Sequence, residues 1–329
     1  MRTGLFCTYE NPQSDYRLAF AEQTELVELI EALEFDEVWV AEHHFNPNAA
    51  SPSCLSILAY LAARTSRIRL GSAAVLLPFR NPIHVAEDVA TLDLLSQGRF
   101  NFGVAKGGPF PIQNKHFHAN PDESRTKMIE ALSLIQMLLT MDAVQFEGKF
   151  YKADGVSLTP KPWQTPIPTF IATSSADTVT LAAAHGYGIM GGPPFPVEDL
   201  RQSLNLYREI APHGEARLAL IRFFHVGSTH EQALAEAKEF LQPFVERMQA
   251  ATPRLQPDWT PWFDLERLIE DSLIGTVPEI LGKITKLSEL TLHSLILKPI
   301  SPTFAKRRAD LELFAREMKP SCTQQGGTR

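Results

Sequence analysis

Residues 26–45 read LVELIEALEFDEVWVAEHHF and hold one complete structural unit. Leu26, Leu29, Ile30 and Leu33 recur at helical spacing and define one apolar face. Val38-Trp39-Val40-Ala41 is then apolar at every position, as a parallel strand covered on both sides must be. That strand runs straight into Glu42-His43-His44-Phe45, where titratable groups replace the apolar run.

The same alternation extends in both directions. Thr3–Thr8 supplies a strand before this unit. After it, Cys54–Arg64 reads as a helix and Ile68–Leu76 as the third strand. Asn81-Pro82 then opens a helix as N-cap and N1 residues, with Gly98 at its C′ end. Phe100–Ala105 is the fourth strand, and Asn120-Pro121 leads into a helix over Asp122–Leu139. Thr169–Ala172, Tyr187–Met190, Arg217–Val226 and His293–Lys298 bring the strands to eight. Helices reach about His185, cover Glu198–Ile210 and close the chain over Phe304–Met318. Ser228–Glu231 and Thr276–Glu279 both carry capping-box spacing. Strands alternating with helices imply parallel βαβ units, and eight of them favour closure into an α/β fold of the (β/α)8 TIM-barrel type over an open sheet.

Two stretches interrupt the pattern. In 144–168, Phe146–Tyr151 resembles a small hairpin ahead of a proline-rich run. Residues 250–272 hold three prolines, Trp259 and Trp262 with weak periodicity, which reads as an insertion above the barrel, placed to act as a lid. The expectation is one domain over residues 1–320 and a disordered tail over 321–329.

Bulk properties narrow the function. A chain of 329 residues with 44% hydrophobic side chains can bury such a core. Lys plus Arg total 31 against 38 for Asp plus Glu, so no positive field exists to attract nucleic acid or an anionic membrane. Cys7, Cys54 and Cys322 are odd in number and lack CxxC spacing, which argues against a disulfide framework or a zinc site and fits a reducing cytoplasm. No apolar leader opens the chain and no run of eighteen apolar residues occurs, so neither secretion nor membrane insertion is indicated.

Working residues of such barrels lie at the C-terminal strand ends. Strand two ends in Glu42, His43 and His44. If the chain is still extended there, one histidine faces the mouth and the other turns toward packing, and residue identities leave open which. An isolated histidine would more often just hydrogen-bond a loop carbonyl; the cluster favours chemistry. Contiguous Glu-His-His lacks the spacing that converges metal ligands. Gly71-Ser72-Ala73-Ala74 places small residues where a flat ring can approach the backbone, or where the core packs tightly. Lys106-Gly107-Gly108 and Arg125 suit an anionic group, and either can equally be an ordinary turn or a solvated charge. Thr173, Ser174, Ser175 and Thr178 gather hydroxyls and free amides at a helix N-terminus, an anion site by construction. No GxGxxG or P-loop is present. Phe6, Phe45, Phe110 and Phe195 suggest an apolar pocket or simply packing.

Glu42-His43-His44-Phe45, Leu77-Pro78-Phe79-Arg80-Asn81-Pro82 and the block Leu92–Val104, LDLLSQGRFNFGV, occur in an order and spacing that resemble the bacterial luciferase-like monooxygenases. The later Ala-Thr-Ser-Ser stretch and Gly275–Glu279 fit as well, and only 250–272 matches poorly. The resemblance, which extends to the luciferase α chain, implies a usually dimeric (β/α)8 barrel. Such a barrel takes reduced FMN from a separate flavin reductase and reacts it with O2 to a flavin C4a-peroxide that attacks an aldehyde or another small apolar substrate. Carried over by residue, His43 matches the catalytic histidine and His44 its supporting neighbour. Glu42 matches a carboxylate below the flavin ring. Ala73-Ala74 matches a non-prolyl cis peptide, and Lys106, Arg125, Ser175 and Thr178 match contacts to the FMN phosphate, with Ser174 beside them. Ala105 stands where the luciferase α chain has a reactive cysteine, and Lys106 replaces an arginine, keeping the charge and losing the planar fork. A deazaflavin- or NAD(P)H-linked oxidoreductase on the same barrel, and a flavin-binding protein without catalysis, are the rival readings.

Overall fold

The structure, a computed structural model, describes residues 1–108, 110–251 and 261–323. In chain order its elements are β1 (Arg2–Cys7), α1 (Tyr16–Ala32), β2 (Glu37–Val40), α2 (Cys54–Arg64), β3 (Arg69–Ser72), β4 (Val75–Leu76), α3 (Pro82–Leu95), β5 (Phe100–Ala105), α4 (Pro111–His116) and α5 (Ser124–Thr140). There follow β6 (Val144–Glu147), β7 (Lys152–Val156), β8 (Thr169–Ala172), α6 (Ala176–Ala184), β9 (Gly188–Gly191), α7 (Val197–Ile210), β10 (Leu218–Val226) and α8 (His230–Ala251). The last are α9 (Leu265–Glu270), β11 (Leu273–Gly275), α10 (Val277–Ser288), β12 (Ser294–Pro299), α11 (Phe304–Leu313) and α12 (Lys319–Thr323).

Hydrogen-bonded neighbours run β10-β12-β1-β2-β3-β5-β8-β9, and β9 pairs again with β10, which is the strand order of a (β/α)8 barrel. β4 continues the third position beside β5, and β11 adds to β10. The expected fold class holds. Among the described residues no helix is long and apolar enough to cross a membrane. The chain divides into two compact units, one of Met1–Cys7, Ala21–Val38 and Phe170–Arg329, the other of Thr8–Phe20 and Trp39–Thr169.

In the first unit β12 is parallel to β1, with Arg2 opposite Ser294, and to β10, with Ala219 opposite Ser294. All nine residues of β10 are buried, as expected of a parallel strand covered on both faces. Phe223 shares one buried apolar cluster with Ala233, Ala237, Leu241 and Val245 of α8 and with Leu268 and Ile269 of α9. The capping box Thr276–Glu279 forms as its spacing predicts. The one at α8 sits a residue later than expected: Thr229 Oγ1 accepts from the Gln232 N–H at 3.2 Å, so Thr229 caps the helix instead of Ser228.

The helix expected over Phe304–Met318 ends as α11 at Leu313 and passes through a π turn over Phe314–Met318. Of the tail expected to be disordered over 321–329, the structure describes residues 321–323. Residues 319–323 are helical and Cys322 is fully buried, which anchors that turn, and residues 324–329 lie outside the described residues. Of the insertion expected at 250–272, residues 252–260, Trp259 among them, likewise lie outside them. The rest is ordered structure. Arg267 pairs with Asp271 at 2.9 Å and donates to the Pro194 carbonyl at 3.1 Å, and the Trp262 and Phe195 rings lie 4.6 Å apart.

In the second unit Asn81 caps α3 with its side chain, and Pro82 occupies N1. The other end corrects the expectation. Gln97, at φ 55°, is the C′ residue and donates to the Leu94 carbonyl at 3.0 Å, while Gly98, at φ 77°, is one residue beyond and donates to Asp93 O at 2.9 Å. Those two bonds make a Schellman motif, with the glycine at C″. The 144–168 stretch contains the antiparallel pair β6–β7, wider than the expected hairpin over Phe146–Tyr151. The expected third strand is split into β3 and β4 at Ala73–Ala74, whose peptide bond is cis.

Candidate functional site

The buried strand end of β2 organises the second unit's polar chemistry. Ala41 and Glu42 continue β2 into a segment held by a hydrogen bond from the His43 N–H to the Ser51 carbonyl, 3.1 Å. The Glu42 carboxylate is inaccessible to solvent, and its donors come from four directions. His44 Nε2 lies 2.8 Å from Oε1, and Arg80 Nε donates to both oxygens at 3.1 and 3.2 Å. The Leu76 N–H and the Cys54 thiol approach Oε2 at 3.4 and 3.5 Å. Burial alone would push the Glu42 carboxyl up. The His44 hydrogen bond and the Arg80 charge and hydrogen bond together outweigh it and hold the group below its ordinary value. An ionised carboxylate only accepts, so His44 carries a proton on Nε2.

The His44 ring is enclosed by aromatic side chains. Phe117 meets it edge-on at 4.7 Å, and Phe79 and Phe45 lie 6.3 and 6.2 Å away. Phe117 stacks on Phe79 at 5.1 Å and on Phe45 at 5.5 Å. Gln113 of the short helix α4 is buried and donates from Nε2 to the His44 carbonyl at 3.2 Å. His44 is therefore fixed at its ring nitrogen, its ring faces and its backbone.

Lys106 and Arg125 are also brought together in this unit. Burial, and then the charge of Arg125, pull the Lys106 ammonium below its ordinary value. Gly107, at φ 89°, makes the turn after β5 in a conformation that side chains disfavour. Ala73 donates from its backbone to the Val40 carbonyl at 2.8 Å. The small residues of the third strand are explained in part by packing. A Cβ at Gly71 would stand 2.2–2.6 Å from the Trp39 indole, so the ring that approaches the backbone there belongs to the chain itself.

In the first unit Ser175 is the N-cap residue of α6, but its hydroxyl caps no backbone amide and donates instead to Thr178 Oγ1 at 3.1 Å. The Ser175 N–H donates to Thr173 Oγ1 at 3.1 Å, Thr178 is buried and Ser174 half-buried. The hydroxyl cluster read from the sequence forms. The phenylalanines offered as pocket wall are spread over different packing. Phe6 is buried with the Lys298 ammonium 5.7 Å from its ring, Phe195 packs on Trp262, and Phe45 is exposed beside His116.

Two arginines of evident structural weight went unnoticed in the sequence. Arg80 stood inside a recognised block, yet a charge just before an N-cap reads locally as solvated. Arg222, wholly buried on β10, donates to the carbonyls of Gly192 and Phe195 at 3.1 and 2.9 Å, and burial lowers its guanidinium to about 10. An arginine in the middle of the apolar run Leu218–Val226 was the available signal.

Comparison with known proteins places this arrangement. Residues 1–294 match the luciferase-like monooxygenase family. The chain belongs to that family. The luciferase-like chain is 30% identical over 291 residues to limonene 1,2-monooxygenase of Rhodococcus erythropolis, covering 85% of itself and 75% of that enzyme. Among solved structures it resembles monooxygenase RslO1 of Streptomyces bottropensis, with TM-score 0.87 and 26% identity over 98% of this chain and 100% of that one. The oxygenating constituent of 3,6-diketocamphane monooxygenase of Pseudomonas putida, in complex with FMN, gives 0.81 at 20% identity over 97% and 98%. The coenzyme F420-dependent tetrahydromethanopterin reductase of Methanopyrus kandleri gives 0.73 at 20% over the same shares.

Thiol chemistry is not expected in this luciferase-like protein. Burial raises the thiols of Cys7 and Cys54 and pushes Cys322 up to about 11, so the reactive thiolate is scarce in each. The folded protein should show no fast-reacting thiol toward an aromatic disulfide reagent and should keep its activity. Rapid modification with inactivation would contradict this account.

Proposed function

We propose that the protein is the oxygenase of a two-component FMN-dependent system, fed with reduced FMN by a separate flavin reductase, and that it oxidises a small apolar substrate with O2. Aldehydes are the first class to test, and a homodimer is the proposed working form. The observation that carries the reading is the juxtaposition of Lys106 and Arg125, two cations close enough for one to depress the other in a half-buried position. Like charges drawn together in this way fit a dianionic phosphate. Ser174, Ser175 and Thr178, at the start of a nine-residue helix, are proposed as further phosphate contacts.

Bound reduced FMN would supply the electrons that activate oxygen. The chain supplies the rest. Lys106 and Arg125 bind and orient the phosphate, and Ala73 and Ala74 border the ring. His43 is the proposed acid–base residue and His44 its neighbour, with Glu42 fixing the His44 proton on Nε2. The phenylalanine rings around His44 keep water from that imidazole.

Arg125→Ala tests the phosphate contact. FMN affinity should fall by about 1.5–3 kcal/mol, the usual worth of a charge-assisted hydrogen bond, while riboflavin binding changes little. Equal losses for both ligands would refute the assignment. The F420-dependent reductase of M. kandleri, which shares the fold, keeps a deazaflavin as the second reading. FMN is preferred because the 30%-identical relative and the 26%-identical structure are both named monooxygenases. The buried Glu42–His44 pair argues against a flavin carrier without catalysis.

A further inference from the structure

Arg80 belongs neither to the histidine pair nor to the phosphate contacts. It lies just before the N-cap Asn81 of α3, and its guanidinium reaches back across 38 residues of sequence to the end of β2. Nε donates to both Glu42 oxygens, and one Nη donates to the Pro52 carbonyl at 3.3 Å. Three-quarters of the Arg80 side chain is covered, and all of the Glu42 side chain.

We propose that Arg80 is a positioning residue for His44: it holds the Glu42 carboxylate in one orientation, so that Glu42 retains the Nε2 proton of His44 and leaves Nδ1 as the nitrogen that can exchange a proton in support of His43. This rests on the reading of the strand end as an acid–base centre.

The reasons are electrostatic and geometric. A carboxyl with no solvent-exposed surface, packed beside the backbone of β4, would by itself tend to protonate. It would then offer an O–H of its own, and either His44 tautomer would satisfy it. Arg80 removes that freedom by supplying a permanent cation. Donation from one Nε to both oxygens also fixes the rotation of the carboxylate. The Leu76 N–H and the Cys54 thiol occupy Oε2, so Oε1 is the oxygen turned to His44. Burial holds Cys54 neutral, where it serves only as a donor. Asp88 acts on Arg80, and His84 and Glu87 act on Asp88. His43 adjoins the pair in sequence, and His116 lies beyond the Phe45 ring, 5.7 Å from it. Of these, Arg80 is the permanent cation bonded to the carboxylate, so its removal should dominate the titration of the pair.

The test uses full-length Arg80→Gln, Arg80→Lys and Arg80→Ala, checked for folding by circular dichroism, with two readouts. The first is the 15N spectrum of the His44 imidazole, which reports the tautomer without cofactor or turnover. The second is the pH profile of kcat/KM. The wild type should hold the Nε2–H tautomer. Arg80→Gln should show mixed tautomers, because without the neighbouring cation the Glu42–His44 pair takes up a proton more readily and Glu42 no longer stays ionised. The acid limb should therefore move up by about one pH unit, with kcat lowered about ten-fold or more and KM nearly unchanged. Added guanidinium should restore the tautomer in Arg80→Ala, whereas Arg80→Lys, with its point charge, should restore it only in part.

A folded Arg80→Gln with the wild-type tautomer and an unmoved acid limb would overturn the proposal. A changed tautomer with unchanged kcat would overturn it too, because the positioned ring would then not be used. Should reduced FMN support no turnover at all, the tautomer readout still decides the role of Arg80, so the two readings fail separately.

Discussion

Replacing His43 by alanine is expected to lower product formation by roughly 10²–10⁴-fold while leaving reduced-FMN binding nearly intact. The proposed phosphate contacts lie elsewhere in the chain, so binding and proton transfer should separate cleanly. A loss of that size is about 2.7–5.5 kcal/mol of transition-state stabilisation, the usual worth of a positioned acid–base group. The backbone at His43 is held by its N–H bond to the Ser51 carbonyl at 3.1 Å, a bond that the substitution leaves in place. The measurement is single-turnover product yield beside an FMN titration on the same variant. Unchanged turnover would remove His43 from the mechanism. Lost FMN binding would reassign it to the cofactor site.

Glu42→Ala should be the most damaging single change to stability at this strand end. It strips the partner from Arg80 and His44 and leaves the Leu76 amide and the Cys54 thiol without their acceptor. Breaking a buried ion pair from one side costs about 3–5 kcal/mol, and because a quarter of the Arg80 side chain is exposed, about 3 kcal/mol is the expected loss. The pH dependence has a definite sign. The Glu42 carboxyl lies below its ordinary value in the folded protein, so its contribution is present above the unfolded-state value of about 4.3 and fades as pH falls through the lower folded value. The variant should therefore lose stability at neutral pH and lose part of the wild type's acid sensitivity. Urea denaturation at pH 7 and pH 4 measures both effects. A loss below about 0.5 kcal/mol at pH 7 would show that the cluster contributes little to the fold.

Much of this fold is legible because local signals agree with one another. α2, β5 and β8 fall where periodicity and flanking residues place them, and the Thr276 box forms as its spacing requires. Errors cluster where hydrogen-bond register, element length or a distant partner decides. Gln97 takes the left-handed position expected of Gly98 because the two Schellman bonds, to Leu94 and Asp93, set the register of the turn. Helix α4 has six residues, too few for a periodic signal, yet it carries Gln113 to the His44 backbone. Glu42 and His44 were readable as a cluster because they adjoin in sequence. Arg80, 38 residues from Glu42, had no local mark of its task. The cis bond at Ala73–Ala74 was anticipated only through the family resemblance. Nothing in the composition of that segment calls for it.

The central claim is oxygenation driven by reduced FMN, and the direct measurement is oxygen uptake and product formation with no reductase present, using FMN reduced photochemically beforehand. An apolar aldehyde is the first substrate, followed by other small apolar compounds. The account predicts O2 consumption coupled to an oxygenated product with reduced FMN, and no product with reduced coenzyme F420. Turnover with reduced F420, together with the absence of product from reduced FMN across that panel, would contradict it.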